Sequence, residues 1–159
     1  MEKQKATWNK AFLLEIYYLK KKVHLQLLIY LTKRILGQNI LNLINENLIV
    51  SCHDVSLGGI LTAVCKMCIK GNKGVKINQL KRLINKFEYF FGEDQGRYIV
   101  EIPKKNVDKV NQILEKNSIH YDELGVIDEK MLAFNNDIKL SIEELKETHK
   151  YWLKKYMDN

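Results

Sequence analysis

The chain has 159 residues, 46% of them hydrophobic and 28% charged, with one proline and eight glycines. That is enough for one domain with a core of its own, and it excludes low-complexity and collagen-like classes. The formal charge of +7 is uneven: residues 1–50 hold eight Lys/Arg against three Asp/Glu, whereas residues 51–159 hold eighteen against sixteen.

A near-neutral body with lysines mixed among acids argues against a nucleic-acid face. The polar start is not followed by an apolar core with a small-residue cleavage site. The longest apolar run, near Leu25–Leu31, is broken by Gln26 and too short to span a bilayer. A soluble cytoplasmic domain is therefore expected. Its three cysteines, Cys52, Cys65 and Cys68, should be reduced thiols.

In chain order, residues 8–22 fit an amphipathic helix, with Phe12, Leu13, Ile16 and Leu19 on one side. Lys20-Lys21-Lys22 would close it at the negative end of its dipole. Val23–Leu31 leans toward a strand through its β-branched and aromatic content. Thr32 can cap a helix over 33–47 whose apolar face uses Ile35, Leu36, Ile40, Leu43 and Ile44, and Asn47 suits its C-terminal end. Leu48–Cys52 reads as a buried strand. Ser56 can cap a helix over 57–70, which Gly71 ends.

Val75 and Ile77 mark a short strand, Leu80–Phe87 a short helix, Phe87–Phe91 an aromatic cluster and Tyr98–Ile102 a strand. Pro103 stops that strand and admits a helix over 104–117 with Val107, Val110, Ile113 and Leu114 at helical spacing. Tyr121–Ile127 and Met131–Leu140 look like an antiparallel pair joined through Asp128-Glu129. Ser141-Ile142-Glu143-Glu144 is a capping box for a last helix carrying Leu145, Trp152, Leu153 and Tyr156. This alternation predicts an α+β domain, a mixed β-sheet flanked by helices.

The chemistry concentrates in Leu48-Ile49-Val50-Ser51-Cys52-His53-Asp54-Val55-Ser56-Leu57-Gly58-Gly59. A short strand runs into a turn bearing an imidazole, a carboxylate and a hydroxyl, and two glycines open a helix. Free N–H groups at a helix start, and glycines that admit a ligand to the backbone, suit an anion or a metal–phosphate complex. Structural roles are open at the same positions. His53 can hydrogen-bond the turn, and Asp54 and Ser56 can cap the helix, which is compatible with ligand contact. A second block, Phe91-Gly92-Glu93-Asp94-Gln95-Gly96-Arg97-Tyr98, enters a strand. Its Glu93, Asp94 and Arg97 fit an internal ion pair, a solvated loop or a phosphate site. Cys65-Lys66-Met67-Cys68 lacks a second ligand pair and reads as structural. His24, His120 and His149 have no ligand spacing. No Walker loop, Rossmann fingerprint, nucleophile elbow or zinc-protease motif is present.

These two blocks, in this order, resemble the C-terminal domain of phosphoribosylformylglycinamidine synthase, of the aminoimidazole-ribonucleotide-synthetase (PurM-like) superfamily. Leu61, Ala63, Met67 and Gly125 continue the likeness, which covers residues 33–157. Residues 1–32 form a poorly matching extension and 33–159 the PurM-like domain. The resemblance implies a C-terminal fragment of an ATP-dependent C–N ligase of purine biosynthesis, which converts formylglycinamide ribonucleotide with ammonia to the amidine. Such a fragment would complete an auxiliary nucleotide cleft and be inactive alone. It implies nucleotide or phosphate contacts at His53, Asp54, Ser56, Gly58, Gly59, Glu93, Gln95, Gly96 and Arg97, with Asp54 on Mg²⁺ bound to ATP or ADP and no catalytic residue. Implied partners are the remaining synthetase domains and a glutaminase subunit; a homodimer is a further expectation, with no nucleic acid or membrane.

Two departures stand out. Leu57 replaces a polar residue and Lys66 a glutamate of the family pattern. The Gly/Ser/Pro-rich segment expected before residue 33 is missing, so residues 11–32 read as a decayed or frame-shifted copy of it. The alternative is a degenerate domain that only mediates association.

Overall fold

A computed structural model describes residues 10–15, 25–77, 85–94, 96–134 and 138–158. The elements are β1 (Lys10–Glu15), α1 (Leu25–Asn45), β2 (Ser51–Asp54), α2 (Gly59–Gly71), β3 (Gly74–Ile77), α3 (Lys86–Phe91) and β4 (Arg97–Ile102). A 3-10 turn (Lys104–Asn106), α4 (Val107–Lys116), β5 (His120–Asp128), β6 (Met131–Phe134), β7 (Ile138–Ser141) and α5 (Ile142–Met157) complete them. The expected α+β class is what forms: a seven-stranded mixed sheet, order β2-β4-β1-β5-β3-β6-β7, with helices on both faces.

Strand β1 shows how the sheet divides its cores. Ala11 and Leu13 point to one face with Ile60 and Val64 of α2; Phe12 and Leu14 point to the other with Leu36 and Leu43 of α1 and Val110 and Leu114 of α4. Both faces of the strand are buried, so its sequence is a continuous apolar run without alternation. The expected helix over 8–22 is wrong for this reason at Lys10–Glu15, where the chain pairs antiparallel with β4 and β5. Its remainder, with Ile16, Leu19 and the lysine triplet, lies outside the described residues.

Helix α1 starts earlier than expected: Leu25–Leu31 is helical, not extended. Leu36, Ile40 and Leu43 are buried at i, i+4, i+7, whereas Ile35 and Ile44 face solvent. Asn47 takes the left-handed backbone (φ 54°) and Leu48 N–H returns to Leu43 O at 2.9 Å, closing the helix as anticipated. The next strand is displaced. It begins at Ser51 and runs to Asp54 as a half-buried edge strand, with Val50 exposed.

Ser56 does not cap α2. Its carbonyl accepts from Gly59 N–H at 2.9 Å, and the cap residue is Gly58, without a side-chain bond. Left-handed Asn72, beyond Gly71, closes the helix. The strands at 74–77 and 97–102 and the helix after Pro103 form where expected. Of the expected helix at Leu80–Phe87, residues 80–84 lie outside the described residues, and α3 starts at Lys86.

The antiparallel pair expected at 121–140 does not form. Asp128 Oδ1 does accept from Lys130 and Met131 N–H, both at 3.2 Å, so the turn chemistry is real. But β3 inserts between the two strands, antiparallel to β5 and parallel to β6. Nothing local in the sequence announces a third strand arriving from 50 residues earlier. The capping box at Ser141 and Glu144 forms in both directions. Ile142 and Leu145 seat α5 on the core, and Trp152, Leu153 and Tyr156 extend it beyond with exposed side chains.

Candidate functional site

The two chemistry-bearing blocks meet because β2 and β4 are neighbours. Asp54, the last residue of β2, pairs with Tyr98, the second of β4. The turn after β2 therefore sits beside the loop before β4. A cleft of about 400 Å³ lies between them and is lined by Asp54, Ser56, Glu93, Gly96 and Arg97.

The blocks are also bonded to each other. Glu93 Oε1 accepts from the Gly58 N–H at 2.8 Å. A carboxylate thus occupies the N–H that a phosphate would use at this helix start. Gly58 and Gly59 have φ of 81° and 71°, a backbone that only glycine adopts without strain. Gly59 is buried against the C-terminal end of α3, which sets the α2 start against the second block.

Arg97 lines the cleft but its guanidinium turns inward, 6% exposed. Nε donates to Asp94 O at 3.3 Å, one terminal nitrogen to Tyr89 O at 3.4 Å, and the other to Gly92 O. The last also faces Asp94 Oδ2 at 3.2 Å. Arg97 thus holds the C-terminal end of α3 and the loop after it, a favourable partner for the helix's unpaired carbonyls. Asp54 is the opposite case: its carboxylate is exposed and projects at the mouth.

His53 does not line this cleft. Its Nδ1 lies 2.5 Å from Asp54 O and 3.5 Å from Asp54 Oδ1, so the imidazole braces the turn. Gln95 lies outside the described residues. One cleft residue lies outside both blocks, Lys33. Lys33 belongs to α1, and its stem passes 3.6 Å from where a Cβ on Gly96 would stand. Only the packing of α1 against this end of the sheet brings it there, and no sequence signal carries that.

Other candidates separate cleanly. Among the described residues no group of three or more His, Cys, Asp or Glu could hold a metal ion. The three cysteines are free. Burial pushes the Cys65 thiol up; burial and then the nearby Asp54 charge push Cys52 up to about 11. Burial, followed by Cys65 and Glu101, pushes Cys68 up to about 12. These are inert thiols, as the structural reading of the Cys65–Cys68 pair required. The aromatic cluster divides. Tyr89 and Phe90 are core, whereas Phe87 and Phe91 stack at 6.3 Å on the exposed side of α3.

A mixed seven-stranded sheet covered on both faces, with a glycine-opened helix and an acidic loop converging on one cleft, defines the C-terminal domain class of the AIR synthase related proteins. The chain matches the family model described as "AIR synthase related protein, C-terminal domain" over residues 4–133, and it belongs to that family.

More particular likenesses point one way. The chain is 53% identical over 123 residues to phosphoribosylformylglycinamidine synthase subunit PurL of Pelagibacter ubique, covering 77% of this chain and 17% of that protein. The PurL subunit of Bartonella bacilliformis is 32% identical over 123 residues, with the same coverage of 77% and 17%. The chain thus spans about a sixth of the length of the curated relatives it matches. The fold is that of Thermotoga maritima PurL. The ATP-complexed structure aligns with TM-score 0.68 at 17% identity, over 87% of this chain and 25% of that one. The PurLQS structure from that organism aligns with TM-score 0.68 at 19% identity, over 87% and 26%.

Proposed function

We propose that this chain is the C-terminal part of a phosphoribosylformylglycinamidine synthase subunit, and that it supplies one wall of an auxiliary nucleotide or phosphate cleft without being active alone. The observation that carries the first half is the 53% identity to the Pelagibacter PurL subunit over most of this chain and 17% of that protein. Supporting the second half is the convergence of Asp54, Ser56 and Glu93 on one cleft.

In this reading Asp54 and Ser56 are the ligand-facing groups. A single projecting carboxylate suits Mg²⁺, which takes one or two protein carboxylates and completes its shell with phosphate oxygens and water. When bound, the ion would neutralise nucleotide phosphates beside Ser56. Gly58 offers its N–H to phosphate only if Glu93 releases it. Arg97 acts by fixing the second block in place. The domain proper takes in β1 and α1 as well as residues 33–159, since β1 lies inside the sheet between β4 and β5, and its proposed place of work is the cytoplasm. The remaining synthetase domains and a glutaminase subunit are the proposed partners, with a homodimer when they are absent.

The test is calorimetric titration of the purified chain with Mg-ADP. Saturable heat that disappears in Asp54→Ala supports the retained cleft. Heat that persists in that variant refutes the assignment of Asp54. Product formed by the isolated chain from formylglycinamide ribonucleotide, ATP and ammonia would overturn the claim that it is inactive alone.

A second reading has its own support: a degenerate domain that mediates association only. Glu93 on the Gly58 N–H, the inward Arg97 and the 77% exposed Leu57 all subtract from a phosphate site. Absence of Mg-ADP heat together with a stable complex with a PurL subunit lacking the matching segment would select it.

A further inference from the structure

Beneath α2, on the sheet face opposite α1 and α4, lies a second and larger cavity of about 510 Å³. None of its lining residues lines the cleft at Asp54 and Arg97. Its walls are aliphatic: Ala11, Val64, Met67, Val75, Ile99 and Leu124. Among the described residues no Phe, Tyr or Trp lines it, and its one ring, the His53 imidazole, is tied to the Asp54 carbonyl. A flexible hydrocarbon chain is the shape such walls accept.

Charge selects the other end of the ligand. Lys66 and Lys70, one helical turn apart on α2, both line the cavity and are exposed. Glu101, at 8% exposure, is the buried acid of the cavity, and it accepts from Ser51 Oγ at 3.1 Å and faces Lys73 Nζ at 3.5 Å. With Glu101 opposed by Lys73, the two lysines of α2 leave the mouth cationic. The thiol of Cys68 belongs to this face, whereas Cys52, opposite Val100 on β2, packs its side chain into the core under α1 and α4. Burial holds the Cys68 thiol protonated, so the cavity binds without offering a nucleophile.

We propose that this cavity binds a medium-chain aliphatic carboxylate, its hydrocarbon between α2 and the sheet and its head group on Lys66 and Lys70. Burying an aliphatic chain among such side chains is favourable in proportion to the apolar area removed from water, and the lysines discriminate the anion from its neutral analogue.

The cysteines supply the readout. The full chain is titrated with decanoate below its micelle concentration, then treated at pH 9 with methyl methanethiosulfonate and analysed by peptide mass spectrometry. One saturable equivalent is expected. It should slow modification of Cys68 at least fivefold and leave Cys65, which is outside the lining, and Cys52, whose side chain packs on the other face, unchanged. Lys66→Glu with Lys70→Glu, both surface changes, should weaken decanoate at least tenfold and leave decanol binding within twofold. Absence of saturation, equal protection of all three cysteines, or unchanged decanoate affinity in the double variant would each overturn the proposal. The last would reveal nonspecific apolar adsorption.

Discussion

Gly59→Ala and Gly37→Ala should move stability in opposite directions. Gly59 has φ 71°, and a Cβ built there would stand 2.5 Å from Phe90 O and 2.7 Å from Phe91 Cα. Both obstacles are α3 backbone, which cannot swing aside as a side chain can. Holding alanine in a left-handed backbone costs about 1–3 kcal/mol, and forcing a methyl into filled space about 1–3 kcal/mol more. The expected loss is thus roughly 2–6 kcal/mol, or a midpoint lowered by at least about 4 °C for a domain of this size. Gly37 lies inside α1, and a methyl there would meet nothing within 4 Å. Alanine at that position should gain about 0.5–1 kcal/mol, raising the midpoint by about 1–4 °C. Thermal and urea unfolding followed by circular dichroism measures both. If Gly59→Ala is as stable as the parent, the contact between the α2 start and the α3 end is not as described, and the cleft between the two blocks has no fixed wall.

Arg97→Lys should cost about 2–3 kcal/mol in urea unfolding, because an ammonium cannot reach the carbonyls of Tyr89, Gly92 and Asp94 together; unchanged stability with weakened phosphate binding would reassign Arg97 as a ligand donor. Ser141→Ala should destabilise α5 more at pH 7 than at pH 3. The N–H and hydroxyl of Ser141 hold the Glu144 carboxyl below its ordinary value. Stability from that group is present above the unfolded pKa and is lost as pH falls through the lower folded one. A penalty independent of pH would contradict the reciprocal cap. With its thiol near 11 against an ordinary 9.0, Cys52 should react with iodoacetamide at pH 8 about a hundredfold more slowly than an unperturbed thiol; Cys68, near 12, should be slower still. Fast alkylation of Cys68 at pH 8 would mean that α2 lifts from the sheet, and of Cys52 that the opposite core opens beside β2.

What the sequence disclosed depends on whether the signal was local. Asn47, Pro103 and the Ser141 capping box act within a few residues of themselves, and each terminates or starts an element where expected. Strand β1 failed because Ala11–Leu14 is buried on both sides, which erases the alternation that separates strand from helix. The β5–β6 pairing failed because sheet order is a long-range property. Asp128 makes the turn, but β3 takes the partner's place. At the cleft, residue types indicated Asp54, Ser56, Glu93 and Arg97, and the family resemblance added Gly96. They could not indicate which would face outward, since Arg97 is drawn in by carbonyls that exist only once α3 has ended.

That inward turn of Arg97 bears on how the cleft holds its shape. Arg97 is the first residue of β4, Asp54 the last of β2, and the antiparallel register sets Val55 N–H on Arg97 O at 2.9 Å. The backbone of Arg97 therefore anchors the first block, while its side chain anchors the second. Glu93 closes the circuit by reaching back to Gly58. The Asp54 carboxylate, exposed at the mouth, is no part of this frame. Removing Glu93 should loosen one link and free one N–H; removing Arg97 releases the second block from its anchor. Glu93→Ala should therefore strengthen inorganic phosphate binding where Arg97→Ala abolishes it. Equal loss in both variants would show that Glu93 and Arg97 serve the ligand alike, rather than one blocking the N–H and the other holding the frame.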